Sequence, residues 1–393
     1  MGHELITANP KFKKKVYKEF SDKKKDIEDI SIAKKVINLI NENNITIQDY
    51  SKEDFEIIKN IYKSFENLVE KKFTKENFYL IPHEKTEFKN IEKKNIIRYL
   101  IYRYKYRIYP EIKKIGEFPP CVQIEPTSIC NFRCVMCYQK DPTFNKKKDG
   151  FMGAMSLDLF KNIIDQLQGN IEAVTLASRG EPLLNPKINE MIAYIDQKFL
   201  GFKLNSNVSV LNEKHIHSLL SSNIQTLVFS IDAADKKNYE QIRVNGKFEK
   251  IVSNLELFLK IKNKHYPDSK IITRVSGVAI NDKIVDIDKM NKVWGKYVDT
   301  VALVNYSPMD DTYNNPINEI LDPCLELWRR LFVWWDGTVN VCDVDYKSTL
   351  SKWDLKKENI KNIWNSEHYN SLREVHIKKK RSSLEPCTRC IST

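Results

Sequence analysis

The sequence of 393 residues lacks an apolar run long enough to cross a bilayer, and it lacks the pattern of a secretory signal peptide. It also lacks internal repeats and low-complexity linkers, which excludes a solenoid or a largely disordered chain. The eight cysteines are therefore expected in a reducing compartment, and we predict a cytoplasmic protein without disulfides.

Charge narrows the choice of partner only slightly. The 64 Lys and Arg exceed the 52 Asp and Glu, which gives a net charge of +12. This charge suits a nucleotide-linked sugar, a nucleic acid or an anionic membrane surface, and it does not choose among them. Because acidic residues are interleaved with the lysines, most of the lysines are read as solvated surface.

Three cysteines stand close together after a short apolar segment: Cys130, Cys134 and Cys137, in the run IEPTSICNFRCVMCYQ. Three thiolates on one loop can hold three irons of a cubane cluster and leave the fourth iron open. Structural zinc prefers four ligands, and the only other Cys or His near this loop is Cys121, at the far end of the preceding strand. The loop therefore favours an iron–sulfur cluster over zinc or simple thiol redox chemistry.

The spacing and context of these cysteines resemble the radical S-adenosylmethionine (SAM) superfamily. In that family the open iron of a [4Fe–4S] cluster chelates the methionine end of SAM. The resemblance implies that the backbone of Met136, at a position that is often aromatic in the family, lies near the adenine.

Residues 1–115 are rich in Lys, Asn and Ile and show helical periodicity. Helices are predicted near Lys52–Glu70 and near Ile91–Tyr109. The second is basic and aromatic, so it could lie on an anionic membrane, but we expect its tyrosines to pack on its own domain while its arginines face water.

From residue 116 to about 320, short apolar runs alternate with amphipathic segments. Six such runs predict strands: Cys121–Ile124, Ile171–Ala177, Phe202–Asn205, Thr226–Ile231, Ile271–Ile280 and Val298–Asn305. Helices are predicted to begin after Ser156, at Asn185-Pro186 and after Asn212. Six βα units predict an α/β fold with a parallel sheet. Spacing alone allows a doubly wound sheet, whereas the family resemblance implies a partial (β/α)6 barrel.

Polar residues follow the second predicted strand, in Ser178–Pro182. Chemistry in β/α barrels is found at the carboxyl ends of strands. Gly180 and Glu181 resemble the end of the family's Gly-Gly-Glu motif, which holds the SAM amino group, although Arg179 replaces the first glycine.

Later strand ends carry further candidates for SAM binding. Asn205 has polar groups suited to ribose hydroxyls. Ser230 and Arg243 match family positions near the SAM carboxylate. Turn chemistry or a helix cap is the alternative for each of these residues taken alone.

Residues 321–393 contain the remaining thiols: Cys324, Cys342, Cys387 and Cys390. Asp336-Gly337 predicts a hairpin turn between Leu331–Trp335 and Thr338–Cys342, and a final helix is predicted at Ile360–Val375. Four thiols can ligate every iron of a second cubane, and a four-cysteine zinc ribbon is the alternative. The pattern resembles the short twitch or SPASM extension of radical SAM enzymes, a small α+β domain with an auxiliary [4Fe–4S] cluster.

The resemblance implies a radical SAM oxidoreductase that cleaves SAM to a 5′-deoxyadenosyl radical. The short tail resembles that of 2-deoxy-scyllo-inosamine dehydrogenase, which favours a sugar or cyclitol substrate, as in surface-polysaccharide biosynthesis. A flavodoxin or ferredoxin is the expected electron donor. The alternatives are a maturase of a ribosomally made peptide and a non-catalytic iron–sulfur or nucleic-acid-binding protein, and nucleic acid is the less expected partner.

Three acidic residues near predicted loops are candidates for a general base: Asp232, Asp310 and Asp343. The sequence does not choose among them. Cys121 is expected to be a small buried apolar residue.

Overall fold

The N-terminal region of the computed structural model is mainly helical. The structure describes residues 18–19, 25–42, 48–72, 74, 76–280, 285–309 and 311–392. The first elements are β1 (Lys18–Glu19), α1 (Lys25–Glu42), α2 (Lys52–Val69), α3 (Pro82–Asn90) and α4 (Ile96–Ile112). Both predicted helices are present, and α4 begins later than predicted because a short 3-10 turn occupies Lys93–Asn95.

The tyrosines of α4 pack inside the protein, whereas the prediction that its arginines face water is wrong for Arg103. Tyr99 is 0% exposed and Arg103 is 6% exposed. Arg103 forms an ion pair with Glu87 on α3 and donates a hydrogen bond to the Tyr99 hydroxyl. Because α3 brings carboxylates to the inner face of α4, the guanidinium can be buried there with its charge paired.

In the part of the chain that the structure describes, six parallel strands form the centre of a ten-stranded sheet. They are β2 (Cys121–Ile124), β3 (Ala173–Leu176), β4 (Gly201–Ser206), β5 (Thr226–Ser230), β6 (Ile272–Ala279) and β7 (Thr300–Asn305). Each pairs in parallel with the next in chain order, so all six predicted strands are confirmed. Strand order does not reverse across β2–β7, which rules out the doubly wound alternative.

Helices between these strands cover the outer face of the sheet. They are α5 (Leu157–Leu167), α6 (Ile188–Ile195), α7 (Glu213–Leu220), α8 (Lys236–Ile242), α9 (Phe248–His265) and α10 (Ile287–Trp294). Ser156 and Asn212 cap α5 and α7 by accepting hydrogen bonds from backbone N–H groups at 3.2 and 3.0 Å, as predicted. The fold is therefore an open β/α barrel whose apolar residues lie between sheet and helices.

The C-terminal tail extends the same sheet. Its elements are α11 (Glu326–Arg329), β8 (Arg330–Val333), β9 (Thr338–Asn340), β10 (Trp353–Asp354), α12 (Ile360–Trp364) and α13 (Glu367–Ile377). The predicted hairpin is confirmed as β8 and β9, and β8 also pairs in parallel with β2. The predicted last helix is instead two helices, because Ser366 starts α13 by accepting a hydrogen bond from Tyr369 N at 3.2 Å.

The N-terminal helices lie against the amino ends of the barrel strands. Their apolar cluster includes Cys121 and Ala173, the first residues of β2 and β3. Cys121 is 4% exposed, as expected of a buried apolar residue. None of the helices in the described ranges is long and apolar enough to cross a membrane. The boundaries predicted near residues 115 and 320 stay predictions, since the sheet runs without a break from the barrel into the tail.

Candidate active site

The loop after β2 carries Cys130, Cys134 and Cys137, and neighbouring backbone holds it in place. Arg133 N and Val135 N donate hydrogen bonds of 3.0 Å to the carbonyls of Val244 and Ile242, after α8 and at its end. Cys137 N donates to the carbonyl of Cys134 at 3.0 Å. The three thiols therefore lie on a turn that is fixed from two sides.

Nitrogen donors approach the sulfur of each of these cysteines. Phe132 N lies 3.4 Å from Cys130 Sγ, Gln139 N lies 3.5 Å from Cys137 Sγ, and Arg243 Nη1 lies 3.7 Å from Cys134 Sγ. Such donors favour thiolates, but burial dominates and raises the pKa of Cys130 to about 12. Thiolates in this loop therefore need a bound cation, and the donor set suits iron.

Gly180 is required by the close approach of its own backbone to the cysteine loop. A Cβ at this position would lie 2.2 Å from the carbonyl oxygen of Thr127 and 2.6 Å from that of Ile129. The next residue, Glu181, donates its backbone N–H to Ile129 O at 2.9 Å. The two motifs that sequence analysis singled out are thus in direct contact.

The Glu181 carboxylate lies at the buried carboxyl ends of β3 and β4. It accepts hydrogen bonds from Ser206 Oγ at 2.8 Å and from Asn207 N at 2.6 Å. Burial nevertheless raises the pKa of Glu181 to about 7. A bound ammonium group would reverse this effect by stabilising the ionised form.

Two other predicted SAM-contact residues, Asn205 and Ser230, lie at or near strand ends of the same barrel edge. Asn205 is near the end of β4, and its Oδ1 is buried without a hydrogen-bond partner in the described part of the chain. Ser230 is the half-buried last residue of β5, whereas Met136 is buried within the cysteine loop itself. An unpaired buried amide oxygen is costly, so Asn205 fits a site whose ligand supplies the missing donor.

Arg243 is more constrained than sequence analysis predicts. Its guanidinium forms an ion pair with Asp232, and Asp232 Oδ1 accepts a hydrogen bond of 2.7 Å from Val278 N. Arg243 therefore places positive charge next to Cys134, while Asp232 is held in a structural pair.

Arg179, which replaces a glycine of the resembled motif, has a partner that sequence analysis missed. It pairs with the buried Glu125 through two bonds, Nε to Oε2 at 2.6 Å and Nη2 to Oε1 at 2.7 Å. Its Nη1 donates to Tyr346 O at 2.8 Å, and its guanidinium lies 4.2 Å from the ring centroid of Trp334. The side chain thus joins the barrel motif to the C-terminal tail. The only signal of this pair in the sequence was the position of Glu125, directly after β2.

The tail cysteines lie on segments that meet near α13. Cys324 N donates to His376 Nδ1 at 3.1 Å, and Ser392 N lies 3.4 Å from Cys390 Sγ. Burial and then the neighbouring Cys390 raise the pKa of Cys324 to about 12. Burial also raises the pKa of Cys342, and Asp345, Cys387, Cys324 and Cys390 add to that effect. Burial and neighbouring thiols therefore raise the pKa of Cys324, Cys342 and Cys387, and such a set of thiols fits a bound cationic group.

Within the described residues, no group of three or more His, Cys, Asp and Glu side chains is arranged to hold a single metal ion. The fit of the two cysteine sets to iron–sulfur clusters therefore depends on the type and burial of their donors.

Asp343 connects the barrel to the tail, and only the structure distinguishes it from the other acidic candidates. It follows Cys342 and accepts hydrogen bonds from Ser178 Oγ at 2.8 Å and from Gln123 Nε2 at 2.9 Å. Burial raises the pKa of Asp343 to about 6. Asp310 lies outside the described residues. A carboxylate adjacent to one cysteine set thus contacts the motif beside the other.

Comparisons with known families agree with this arrangement of thiols. The model of the radical SAM superfamily matches residues 124–274, and that of the SPASM iron–sulfur cluster-binding domain matches residues 324–391. The chain is a radical SAM enzyme. Together the two matched ranges include every candidate cluster cysteine. The radical SAM domain implies a [4Fe–4S] cluster and SAM, and the SPASM domain implies auxiliary iron–sulfur chemistry.

Solved structures match this chain at low sequence identity, and two of them have a TM-score of 0.50. BtrN in complex with AdoMet and 2-DOIA is 16% identical, with 71% of this chain and 95% of that chain covered and a TM-score of 0.50. The anSMEcpe structure with bound AdoMet is 14% identical, with 69% and 87% covered and a TM-score of 0.50. SuiB of Streptococcus suis bound to precursor peptide SuiA is 14% identical, with 85% and 83% covered and a TM-score of 0.48. No curated protein matches the sequence.

Proposed function

We propose that the enzyme is an oxidoreductase that oxidises a carbon of a small polar molecule of the sugar or cyclitol class, as in surface-polysaccharide biosynthesis. When bound, SAM and its cluster supply a radical that removes a hydrogen atom, and the auxiliary cluster supplies a one-electron acceptor. The chain's own residues hold these groups, orient the substrate and take up its proton.

We assign Cys130, Cys134 and Cys137 to the SAM-binding cluster and Cys324, Cys342, Cys387 and Cys390 to the auxiliary cluster. The contacts of Gly180 and Glu181 with the cysteine loop support a role in holding the SAM amino group. The unpaired Asn205 Oδ1 supports a role toward the ribose. Met136, Ser230 and Arg243 complete the assigned SAM contacts, and Arg243 acts through its position beside Cys134.

The observation that carries the substrate proposal is the position of Asp343. Its carboxylate accepts a hydrogen bond from Ser178, in the segment that carries Gly180 and Glu181. In the sequence, Asp343 directly follows Cys342 of the tail. A substrate held between the two cysteine sets would therefore meet this carboxylate. We assign Asp343 to bind the hydroxyl on the reacting carbon and to accept its proton as a carbonyl forms.

Polar side chains near Asp343 support a polyhydroxylated substrate. Gln123 bonds to Asp343, and Arg330 Nη1 donates to Gln123 Oε1 at 2.9 Å. Asn205 alternates along β4 with the fully buried Phe202 and Leu204, so it faces the barrel interior. The similarly folded BtrN is described in complex with 2-DOIA, and we extend a small-molecule ligand of that kind to this chain as part of the proposal.

A peptide maturase is the alternative. The fold comparison does not separate the two functions, because BtrN and anSMEcpe, which has also been solved with a bound Cp18Cys peptide, have equal TM-scores of 0.50. The N-terminal helices favour the small molecule, since their core reaches Cys121 and Ala173 at the strand ends opposite the proposed site. Between residues 25 and 112, the described regular elements are helices, which do not resemble a winged-helix module for a leader peptide.

The test is isotope transfer. Reduced enzyme would be incubated with SAM and with candidate sugars or nucleotide sugars carrying deuterium at single carbons, and 5′-deoxyadenosine would be analysed by mass spectrometry. We expect deuterium in 5′-deoxyadenosine from one labelled position and a ketone product two mass units below its unlabelled substrate. Transfer from labelled peptides and from no sugar would overturn the substrate class. A flavodoxin or ferredoxin is the proposed electron donor for this assay.

A further inference from the structure

A single arginine side chain joins the segments that carry the tail cysteines. Arg381, in the short 3-10 turn Arg381–Ser383 after α13, is 1% exposed. Its Nη2 donates to Cys387 O at 3.2 Å and to Cys390 O at 2.8 Å. Its Nη1 donates to Asp322 O at 3.1 Å and to Ser392 O at 2.8 Å. One guanidinium therefore fixes the closing cysteine loop and the chain two residues before Cys324.

All four of these acceptors are neutral carbonyl groups. Among the described residues, the partners of the Arg381 guanidinium are these carbonyls and no carboxylate, and its Nε is buried without a hydrogen-bond partner. A buried cation without a counter-charge is costly, so a fold that keeps one needs an anion nearby. Irons ligated by four thiolates and bridged by sulfides carry net negative charge.

Arg389 provides a natural contrast within the closing cysteine loop itself. It lies between Cys387 and Cys390, yet its Nε pairs with Glu385 at 3.2 Å and about a quarter of its side chain is exposed. Its charge is thus already offset and partly screened by water. The two arginines nearest this cysteine pair therefore differ in whether their charge is available to the thiol site.

We propose that Arg381 is a positioning residue of the auxiliary cluster that raises the cluster's reduction potential by partly offsetting its negative charge. Reduction adds one electron to the cluster, and a nearby cation stabilises the more negative, reduced state. The cluster is thereby a better acceptor for the electron that leaves the substrate. This inference rests on the proposed assignment of the tail cysteines to a cluster.

The test measures potential rather than turnover. The full chain with Cys130, Cys134 and Cys137 all replaced by Ala would be reconstituted anaerobically, so that only the auxiliary cluster contributes to the signal. Redox titration monitored by electron paramagnetic resonance would then compare Arg381→Gln, Arg381→Lys and the control Arg389→Gln with the parent.

We expect Arg381→Gln to lower the midpoint potential at normal iron content, Arg381→Lys to recover most of the difference because it keeps the charge, and Arg389→Gln to match the parent. Loss of the cluster in Arg381→Gln with retention in Arg381→Lys also supports the role of the charge. An unchanged midpoint potential in Arg381→Gln would overturn the proposal. Loss of the cluster from both Arg381→Gln and Arg381→Lys would also overturn it, because Lys keeps the charge and loses only the hydrogen-bond geometry of Arg. A parent that yields no cubane spectrum would instead refute the cluster assignment itself.

Discussion

The two cysteine sites differ in how their surroundings are satisfied. Near the barrel loop, Asn205 Oδ1 lacks a hydrogen-bond donor among the described residues, and burial raises the pKa of Glu181. A bound ligand could supply a donor to the first group and a positive charge to the second. Around the tail, four backbone carbonyls and a backbone N–H are engaged by Arg381 and His376. The first site has three thiols and open polar groups, as a site that binds a small molecule would. The second has four thiols and an internal network, as a closed redox site would.

Removing a barrel thiol should have the largest effect. Cys134→Ala takes away one of three ligands, so we expect loss of the SAM-binding cluster and no 5′-deoxyadenosine above background. Cys387→Ala is the matched change at the tail and should leave the first cluster and slow SAM cleavage in place. Iron analysis and chromatography of 5′-deoxyadenosine check both variants. Equal loss of SAM cleavage in the two variants would contradict the assignment of SAM cleavage to the barrel cluster alone.

Asp343 offers the next largest effect, on the chemistry between the sites. Asp343→Asn keeps the size of the side chain but removes the proton acceptor, so product formation should fall about 10²- to 10⁴-fold. SAM cleavage should persist, because the residue is not assigned to SAM. The ratio of 5′-deoxyadenosine to product measures this uncoupling, and the account fails if both fall in proportion.

Gly180 tests the contact between the two sequence motifs. In Gly180→Ala the new Cβ would meet Thr127 O at 2.2 Å, so the cysteine loop or the strand end must shift. Overpacking of this kind costs about 1–3 kcal/mol, and the shift should weaken SAM binding. Gly169→Ala is a control for SAM binding, since no atom lies within 4 Å of its Cβ, although its φ of +79° adds local strain. Calorimetry of SAM binding to both reconstituted variants distinguishes them, and equal affinities would contradict the assigned contact.

The smallest expected effect is a pH dependence at Glu181. Burial raises its pKa from 4.5 to about 7 in the chain without ligands, so the folded state favours the protonated form. Stability from this group is full below pH 4.5 and is lost as pH rises through about 7. Binding of an ammonium group has the opposite sign and should tighten about fivefold as pH rises from 6 to 7, because the ionised fraction of a carboxyl with a pKa of about 7 rises from about a tenth to a half.

Glu181→Gln is the matched control for that titration. It should bind SAM more weakly and without this pH dependence, as measured by calorimetry at several pH values. A wild-type affinity that stays constant between pH 6 and 8 would contradict the role of Glu181.

Local patterns explain what the sequence could predict. Apolar runs placed β2–β7 within a few residues, and Asp336-Gly337 placed the β8–β9 hairpin, because both signals are local. The break before α13 was missed although Ser366 is an ordinary N-cap, since the apolar periodicity continues across it.

The missed parts of the site depend on contacts between distant residues. Arg179 pairs with Glu125 across 54 positions, and Asp343 meets Ser178 across 165. No periodicity encodes such pairs, because the fold alone brings them together. The barrel cysteines could be singled out in the sequence for the opposite reason, since the spacing of Cys130, Cys134 and Cys137 within one loop is a local property.

The most direct test of the central claim, one open and one closed cluster, uses two variants of the whole chain. One has Ala at Cys130, Cys134 and Cys137, and the other has Ala at Cys324, Cys342, Cys387 and Cys390. Electron paramagnetic resonance of each reduced variant would be recorded with and without SAM. In the variant without tail cysteines (the tail variant), the barrel cluster remains, and we predict that SAM shifts its g values. In the variant without barrel cysteines (the barrel variant), the tail cluster remains, and we predict that SAM leaves its g values unchanged. A SAM-induced shift in the barrel variant, or a colourless zinc-loaded protein, would contradict the account.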